Sequence, residues 1–317
     1  MPIGHYRCGV TLIPEAKAAL SATLAGEDYP AELVDYLGKA ARTAITIRCT
    51  RAKGELALGA SRIGGHPDLP IGFVWPSGAQ PGTALTFVAQ VNLADLPATD
   101  LPRQGWLLFF VDVDEPAWDI GHQVVQLSAD TELTRGSFPS DRTPALAEAL
   151  DGATHFPPCS ASFAVTFELD PTDLPDPEDL FEADDLDDLD DLSMTGHSCL
   201  LGVPALVLGD PREEAYLCAQ GMEPLIHQTY LHPDEVATHY RGTAEQAKRL
   251  VPLLEDWWSN QARHHAGMKK WQQLFRLASE SSADMLWWDA GYLQFLIHSD
   301  DLRAGDFSKT YACIATS

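Results

Sequence analysis

Two glutamines lie inside apolar stretches of the chain, where a polar side chain is unexpected. Gln90 lies within Val88-Ala89-Gln90-Val91, and Gln294 lies within Leu293-Gln294-Phe295. Because an amide buried without a hydrogen-bond partner costs free energy, each glutamine either bonds loop backbone or lines a cleft. Both interpretations remain open. The side chains that could share a polar pocket in such a cleft are Arg62, Trp75, Gln90, His197, Asp289 and Gln294.

Arg62 stands beside a glycine pair, Gly64-Gly65, at the start of a proline-rich stretch. An arginine at this position could recognise an anion, whereas a lone arginine near a turn usually pairs with a carboxylate. The Walker spacing is absent, and no GxGxxG precedes a helix. The glycines therefore predict a tight turn between strands and not a phosphate-binding loop.

Sequence signatures of nucleophilic or metal catalysis are missing. There is no GxSxG elbow, and the 11 histidines form neither HExxH nor a Cys/His zinc pattern. Cys199 and His197 would share one face of a strand, which leaves a Cys–His pair as an option. We assign no catalytic residue and predict neither a metal site nor a cofactor. Whether the protein is an enzyme stays open, with a non-enzymatic role favoured.

The charge of the chain is strongly one-sided. Acidic residues outnumber basic ones by 46 to 21, which gives a formal net charge of -25. Such a charge repels nucleic-acid phosphates and anionic membrane surfaces, so we predict that the protein binds neither. It favours solubility, cations or a basic protein partner. An acidic protein without any charged partner is the alternative.

The densest acidic stretch runs from Asp170 to Asp191. Like charges at this density work against a stable isolated helix, so a solvated loop or helix face is one interpretation. The other is an acidic prong that docks on a basic partner. The residues that would make that contact are Asp184, Asp185, Asp187, Asp188, Asp190 and Asp191.

The cysteines and the first residues predict a reduced, cytoplasmic protein. Six cysteines are scattered singly, with no CxxC and no dense framework. The N-terminal residues lack an apolar signal core, and no run of residues approaches a membrane span.

Hydrophobic periodicity predicts the elements that must position these residues. Period-two alternation and continuous apolar runs indicate strands at 43–49, 85–93, 105–112, 124–127, 162–169, 271–277 and 291–298. Helical spacing indicates helices at 14–24, 30–41, 144–150 and 243–265. Thr243 and Gln246 have capping-box spacing at the start of the last helix. The sequence therefore predicts an α+β, predominantly β fold with mostly antiparallel sheets and peripheral helices.

One pair of predicted strands resembles another. Thr86 to Leu93 followed by Gly105 to Asp112 parallels Gln273 to Ser279 followed by Gly291 to His298. In both pairs a strand ends in polar residues, and a glycine opens an aromatic strand. The likeness reflects either the general pattern of hairpins or an internal duplication, which would build two related β-rich lobes.

Three separated motifs carry a family resemblance. They are the GG-x-P-x-LP, WP and AQ-x-N-L pattern from Gly64 to Leu93, the Leu-Gly-x-Pro turn after His197, and the W-x-D-A-G pattern from Trp287 to Gly291. Together they resemble the YwqG-like family of bacterial proteins, a domain of unknown function. The resemblance implies a β-rich domain at 43–317 with an acidic insertion at 170–192, preceded by a helical segment at 1–42. Because relatives occur beside secreted bacterial toxins, it also implies an immunity or antitoxin-like role with a toxin as partner.

Two functions are thus compatible with the sequence. The favoured one is a non-enzymatic cytoplasmic protein that uses its acidic surface to bind a basic protein. The alternative is an enzyme or small-molecule-binding protein whose polar cleft lies between two β lobes.

Overall fold

The computed structural model describes residues 12–25, 29–113, 115–172, 174–181, 196–206 and 209–316. Its helices are α1 (Pro14–Leu24), α2 (Ala31–Ala40), α3 (Pro211–Ala219), α4 (Val236–His239), α5 (Ala244–Ser259), α6 (Gln261–Met268) and α7 (Ser299–Ala304). Its strands are β1 (Ala41–Arg51), β2 (Arg62–Ile63), β3 (Asp68–Pro70), β4 (Thr83–Ala84), β5 (Thr86–Asn92), β6 (Trp106–Val111), β7 (His122–Leu127), β8 (Leu133–Arg135), β9 (Thr143–Pro144), β10 (Cys159–Leu169), β11 (Cys199–Leu201), β12 (Trp271–Ala278), β13 (Tyr292–His298) and β14 (Thr310–Ala315). Among the described helices, none has the length and apolar character needed to cross a membrane.

A ten-stranded antiparallel sheet dominates the fold, in the order β14-β13-β12-β11-β1-β10-β2-β5-β6-β7. Two small sheets accompany it: β3 pairs with β8 in antiparallel fashion, and β4 pairs with β9 in parallel. Helices flank the sheet. The predicted α+β, mostly antiparallel β fold is therefore confirmed.

The ten strands divide into two halves that repeat the same pairing. The first half is β10-β2-β5-β6-β7, and the second is β1-β11-β12-β13-β14. In the first half Arg62 of β2 pairs with Gln90 of β5, and in the second half Cys199 of β11 pairs with Arg276 of β12. Arg62 therefore corresponds in position to Cys199, and Gln90 corresponds to Arg276.

Local irregularities also recur at matching positions of the two halves. The β5–β6 pairing shifts register between Phe87 and Ala89, and the β12–β13 pairing shifts between Gln273 and Phe275. Each turn after the shortest strand has two successive residues with positive φ, Gly64-Gly65 in the first half and Leu201-Gly202 in the second. This repeated geometry matches the echo between the two strand pairs in the sequence.

The outer edges of the sheet approach each other. Ile120 N donates to Ala312 O at 2.9 Å, and Ile314 N donates to Ala117 O at 2.7 Å, so the segment between β6 and β7 bonds β14. The curled sheet encloses an apolar cluster drawn from both halves. At its centre, the Phe109 ring lies 4.4 Å from the Phe275 ring, centroid to centroid. Side chains fill this interior, which therefore serves stability.

Helices cover two other surfaces of the sheet. Helices α3 to α6 share an apolar cluster with Trp271, Leu296 and Tyr311 of the second half. Helices α1 and α2 pack on β1 and β10. The start of the acidic insertion is attached to α2, because Tyr36 Oη donates to Pro175 O at 3.0 Å and the Tyr36 ring packs edge-on against Phe181.

The predicted helix at 144–150 is wrong. Thr143 and Pro144 form β9 beside β4, and residues 145–150 form turns. The first amide groups of this segment bond the neighbouring strands: Ala145 N donates to Ala84 O at 2.9 Å, and Leu146 N donates to Thr86 Oγ1 at 2.9 Å. Contacts with the strands therefore fix the backbone where the helix would have begun.

The long helix predicted at 243–265 is two helices, α5 and α6, which meet at Asn260. The predicted capping box is present, with Gln246 N donating to Thr243 Oγ1 at 3.2 Å and Thr243 N donating to Gln246 Oε1 at 2.8 Å. Asn260 has φ -127 and ψ 27, outside the helical region, and this residue divides the helical segment.

Candidate functional site

A buried arginine–carboxylate group lies at the turn that follows β2. Arg62 Nη2 donates to Asp68 Oδ2 at 2.6 Å, and Gln90 Nε2 and Gly59 N donate to the same oxygen at 3.0 and 2.8 Å. Arg135 Nη1 lies 3.0 Å from Oδ1, which accepts no well-aligned hydrogen bond from the described residues. Burial raises the pKa of the Asp68 carboxyl, and the hydrogen bonds from Gln90 and Gly59 oppose that rise. Arg62, Asp68, Gln90 and Arg135 form what we term the Arg62 centre.

Arg62 and Gln90 also hold the backbone on both sides of β2. Arg62 donates from Nε to Ala60 O at 3.3 Å, from Nη1 to His66 O at 2.9 Å and from Nη2 to Ala57 O at 2.9 Å. Gln90 Oε1 accepts from Asp68 N at 2.7 Å. The buried polar atoms of both side chains are thus bonded to the protein's own backbone, which offsets their desolvation.

The glycine pair lets this turn approach the segment before β10. A Cβ on Gly64 would lie 2.5 Å from Pro157 O, and a Cβ on Gly65 would lie 2.8 Å from Pro158 Cβ. Both residues also have positive φ, 64° and 70°. Glycine is therefore required for this close approach. The predicted tight turn is present, and it brings His66 beside His155.

A surface cavity of about 430 Å³ opens over the Arg62 centre. Its walls come from the loop after β1, the glycine turn, the end of β8 and the segment before β10. We term it the Arg62 cavity. The charged and titratable side chains that line it are Lys53, Glu55, Arg62, His66, Arg135 and His155.

Two imidazole rings lie against each other in the wall of this cavity. The ring centroids of His66 and His155 are 4.0 Å apart, and the ring planes are tilted by 38°. Burial, together with the neighbouring His66, lowers the pKa of His155. The two rings therefore place imidazole nitrogens of both histidines in the wall of the cavity.

A second buried arginine–carboxylate group joins the two halves of the sheet, with Glu168 on β10 and Arg276 on β12. Arg276 Nη2 donates to Glu168 Oε1, and both side chains are fully buried. Val203 N donates to Glu168 Oε2 at 2.6 Å, and Gln273 and Cys199 pack beside the pair. Burial raises the pKa of the Glu168 carboxyl, an effect that the Arg276 charge opposes. Arg276, Glu168, Cys199 and Gln294 form what we term the Arg276 centre.

The two centres hold matching turns by the same contacts. Arg62 Nη1 donates to the carbonyl of His66, which precedes Pro67, and Arg276 Nη1 donates at 2.7 Å to the carbonyl of Val203, which precedes Pro204. In each turn the residue after the proline donates its N–H to a glutamine side chain at 2.7 Å. The pairs are Asp68 with Gln90 and Ala205 with Gln294.

The six residues proposed from sequence for a shared pocket lie in different surroundings. Arg62 and Gln90 meet at Asp68, and Gln294 belongs to the Arg276 centre. Trp75 is buried, donates from Nε1 to Leu85 O at 2.8 Å and packs on Phe110 and Phe138. The side chains of His197 and Asp289 are exposed. The six acidic residues proposed for partner binding, Asp184, Asp185, Asp187, Asp188, Asp190 and Asp191, lie outside the described residues.

The sequence prediction missed several residues of both centres, although a signal for some of them was present. Arg276 interrupts the apolar strand Leu274-Phe275-Arg276-Leu277 in the same way that Gln90 and Gln294 interrupt theirs. Asp68 lies in the quoted glycine-proline motif. Arg135 and Glu168 are distant in sequence from Asp68 and Arg276, and His155 is distant from His66 of the same motif, so no local pattern could have joined these pairs.

Thiol chemistry has little support from the surroundings of the cysteines. Burial raises the pKa of Cys49 and of Cys218 to about 12. Burial, with the Glu168 carboxylate beside it, also raises the pKa of Cys199. Because the thiolate is the nucleophile, these thiols are unreactive near neutral pH. Cys199 Sγ contacts Glu168 and Gln273, whereas the His197 side chain is exposed.

One histidine of the helical region, His264, is held by contacts with two other helices. His264 is buried, its Nδ1 lies 2.9 Å from Tyr216 Oη, and its Nε2 lies 3.2 Å from Asp256 Oδ2. These contacts join α3, α5 and α6. Within the described ranges, no group of three or more His, Cys, Asp or Glu side chains is placed to hold a metal ion.

Fold and site together define a β-rich α+β domain with two buried arginine–carboxylate centres. Residues 61–315 match the family model described as Domain of unknown function (DUF1963), which is most of the chain, and the protein belongs to that family. No curated protein matches the chain. Strand β1 precedes the matched residues, yet it lies in the middle of the sheet.

Proposed function

We propose that this protein is a non-enzymatic binding protein, and that its acidic surface engages a basic protein partner. The observation that carries the proposal is the net charge of -25, with twelve Asp or Glu residues and no Lys or Arg between Asp170 and Asp191. Charge of one sign steers an oppositely charged partner during encounter and disfavours partners of like charge.

The described start of the acidic insertion supports this role. Leu174 and Phe181 pack against the apolar face of α2, beside Leu33 and Leu37. A segment fixed to a helix loses less conformational freedom on binding than a free tail does. The buried polar side chains Arg62, Gln90, Arg276 and Gln294 add support, because they bond to the protein's own backbone. Among the described residues of the two centres, no nucleophile and base are arranged for catalysis.

We propose more specifically that the protein is YwqG-like and has an immunity or antitoxin-like role in the cytoplasm. It rests on the motif resemblance from Gly64 to Leu93 and from Trp287 to Gly291, and on the acidic charge. The partner would then be a basic toxin, whose positive surface the acidic insertion covers.

A pull-down from native lysate, at low and then high salt, tests the proposal. We expect one basic protein to be retained at low salt and released at high salt, because exposed charges are screened. The decisive variant replaces six insertion residues by asparagine, namely Asp184, Asp185, Asp187, Asp188, Asp190 and Asp191. The matched control neutralises six exposed acidic residues elsewhere, namely Glu15, Glu32, Glu132, Asp234, Glu245 and Glu255.

Both variants change the net charge by the same amount. A difference between them therefore shows that the partner contacts the acidic insertion itself and does not respond only to the net charge. The proposal requires that the insertion variant loses the partner and that the control keeps most of the binding. If the two variants weaken partner binding equally, binding depends only on the net charge, and the proposed contact with the insertion is wrong. Retention that is insensitive to salt would contradict the proposal.

A further inference from the structure

The Arg62 cavity has a surplus of positive charge in a strongly acidic chain. Lys53, Arg62 and Arg135 line it, with Glu55 as the acidic side chain among its described lining residues. Asp68 lies beneath the cavity and pairs with both arginines. Lys53 forms no ion pair within the described part of the chain. Two histidines add further positive charge when they are protonated.

Hydrogen-bond donors remain available on the walls of this cavity. Arg135 uses Nη1 and Nη2 on His66 O, Asp68 and Leu56 O, which leaves its Nε without an acceptor among the described residues. The His66 ring has no hydrogen-bond partner in that part of the chain, and His155 Nδ1 lies 3.3 Å from Thr154 Oγ1. Half-buried donors without partners gain from an acceptor that enters the cavity.

We propose that the Arg62 cavity binds an oxyanion, a phosphate or carboxylate group of a small molecule, through Lys53, Arg135 and the His66–His155 pair. The volume of about 430 Å³ admits a small metabolite. This site is independent of the acidic insertion and of the basic partner proposed above.

Binding at this site is coupled to proton uptake. Burial and the neighbouring His66 ring, 4.0 Å away, lower the pKa of His155, so His155 loses its proton readily when no anion is bound. An oxyanion beside the rings favours their charged forms. The other charged groups around the pair are Lys53 and Glu55 from the loop after β1, Arg62 and Asp68 from the glycine turn, and Arg135 from β8.

The matching turn of the second half lacks these features. The positions of Arg62, His66 and Asp68 are occupied there by Cys199, Val203 and Ala205. At these three positions the second half has neither a cation nor an imidazole, so the shared turn geometry does not require them there.

Calorimetric titration at about 0.15 M salt tests the inference, because that ionic strength screens the distant acidic charges. Inorganic phosphate and citrate are the two probes, and binding of either one supports an oxyanion site. We expect binding to strengthen by about three- to tenfold from about pH 7.5 to about pH 6, with uptake of about one proton. We expect Lys53→Glu to weaken binding by at least about fivefold, and His66→Gln with His155→Gln to remove the pH dependence.

Two surface variants serve as controls, Lys248→Glu and His239→Gln, since both side chains are exposed and lie outside the cavity. Each should bind as the wild type does. Lys53 is exposed, so its replacement leaves the fold intact. The inference is overturned if neither probe binds at about pH 6, or if the cavity variants and the controls weaken binding equally. Binding that is unaffected by Lys53→Glu and by the histidine variant overturns it as well.

Discussion

The Arg62 and Arg276 centres occupy matching turns of the two sheet halves, but they obtain their carboxylates differently. Asp68 comes from the turn itself, beside a cavity lined by Arg135 and two histidines. Glu168 comes from β10 of the opposite half and is enclosed with Arg276. The Arg276 guanidinium carbon lies over the Tyr292 ring, 5.6 Å from the ring centroid. One repeated turn thus supports an accessible polar site in the first half and an enclosed ion pair in the second.

This difference separates structural from functional use of the same geometry. A buried ion pair contributes little net stability, yet removing one partner is costly because the other charge stays buried. The Arg276 centre also joins the halves, since Glu168 lies on β10 while Arg276 lies on β12. We therefore assign the Arg276 centre to stability, and the Arg62 centre to stability and to the oxyanion binding proposed above.

The largest expected effect is that of Arg276→Met. This change leaves the Glu168 carboxylate without its cation and leaves the carbonyls of His197 and Val203 without a donor. We expect a loss of about 3–5 kcal/mol in the free energy of unfolding. Urea unfolding followed by circular dichroism measures it. A loss below about 1 kcal/mol would show that water reaches this centre.

We expect Arg62→Met to lower the free energy of unfolding by less, about 2 kcal/mol. Asp68 keeps Arg135, Gln90 and Gly59 as partners, and it lies next to the cavity. The same unfolding measurement applies. If Arg62→Met destabilises the protein more than Arg276→Met does, the proposed contrast between the centres is wrong.

Cys199 gives a pH-dependent test of the enclosed centre. Burial and the Glu168 carboxylate raise its pKa above the ordinary value of 9.0. Above about pH 9 the unfolded chain ionises this thiol and the folded protein does not, so stability must fall as the pH rises from there. Unfolding from about pH 8 to about pH 10.5 should show a shallower decline for Cys199→Ala than for the wild type. Equal slopes of stability against pH in the two proteins would contradict the burial of Cys199.

The smallest effect is expected at an exposed ion pair, which provides a baseline for the two centres. Arg51 Nη2 lies 2.6 Å from Asp284 Oδ1, and both side chains are largely exposed. Arg51→Ala should cost less than about 1 kcal/mol, because water and salt screen the pair. If Arg51→Ala and Arg62→Met lower the free energy of unfolding equally, solvent exposure of the ion pair does not determine its contribution to stability.

The sequence predicted the fold class and most of the sheet because apolar alternation is a local signal. Helix α1 and strands β5, β6, β12 and β13 fall where the pattern indicates. The prediction failed at 144–150, where contacts with β4 and β5 override a helical pattern. The predicted elements also left out β14, a short strand whose partner β13 lies on the far side of α7.

The candidate site was predictable only in part. Gln90 could be recognised because it interrupts an apolar run, and Arg62 because it stands beside the glycine pair Gly64-Gly65. Their meeting with Arg135 and His155 depends on β8 and on the segment before β10, which follow far along the chain. Such long-range contacts leave no trace in local spacing.

One measurement tests the contrast between the two halves most directly: thermal unfolding at about pH 6, with and without about 10 mM phosphate, for the wild type, Lys53→Glu and Lys248→Glu. A ligand that binds the folded state raises the melting temperature by mass action. We expect a rise for the wild type and for Lys248→Glu, and little or none for Lys53→Glu. The same rise in all three proteins would contradict this expectation, because phosphate would then act on the whole protein and not in the Arg62 cavity.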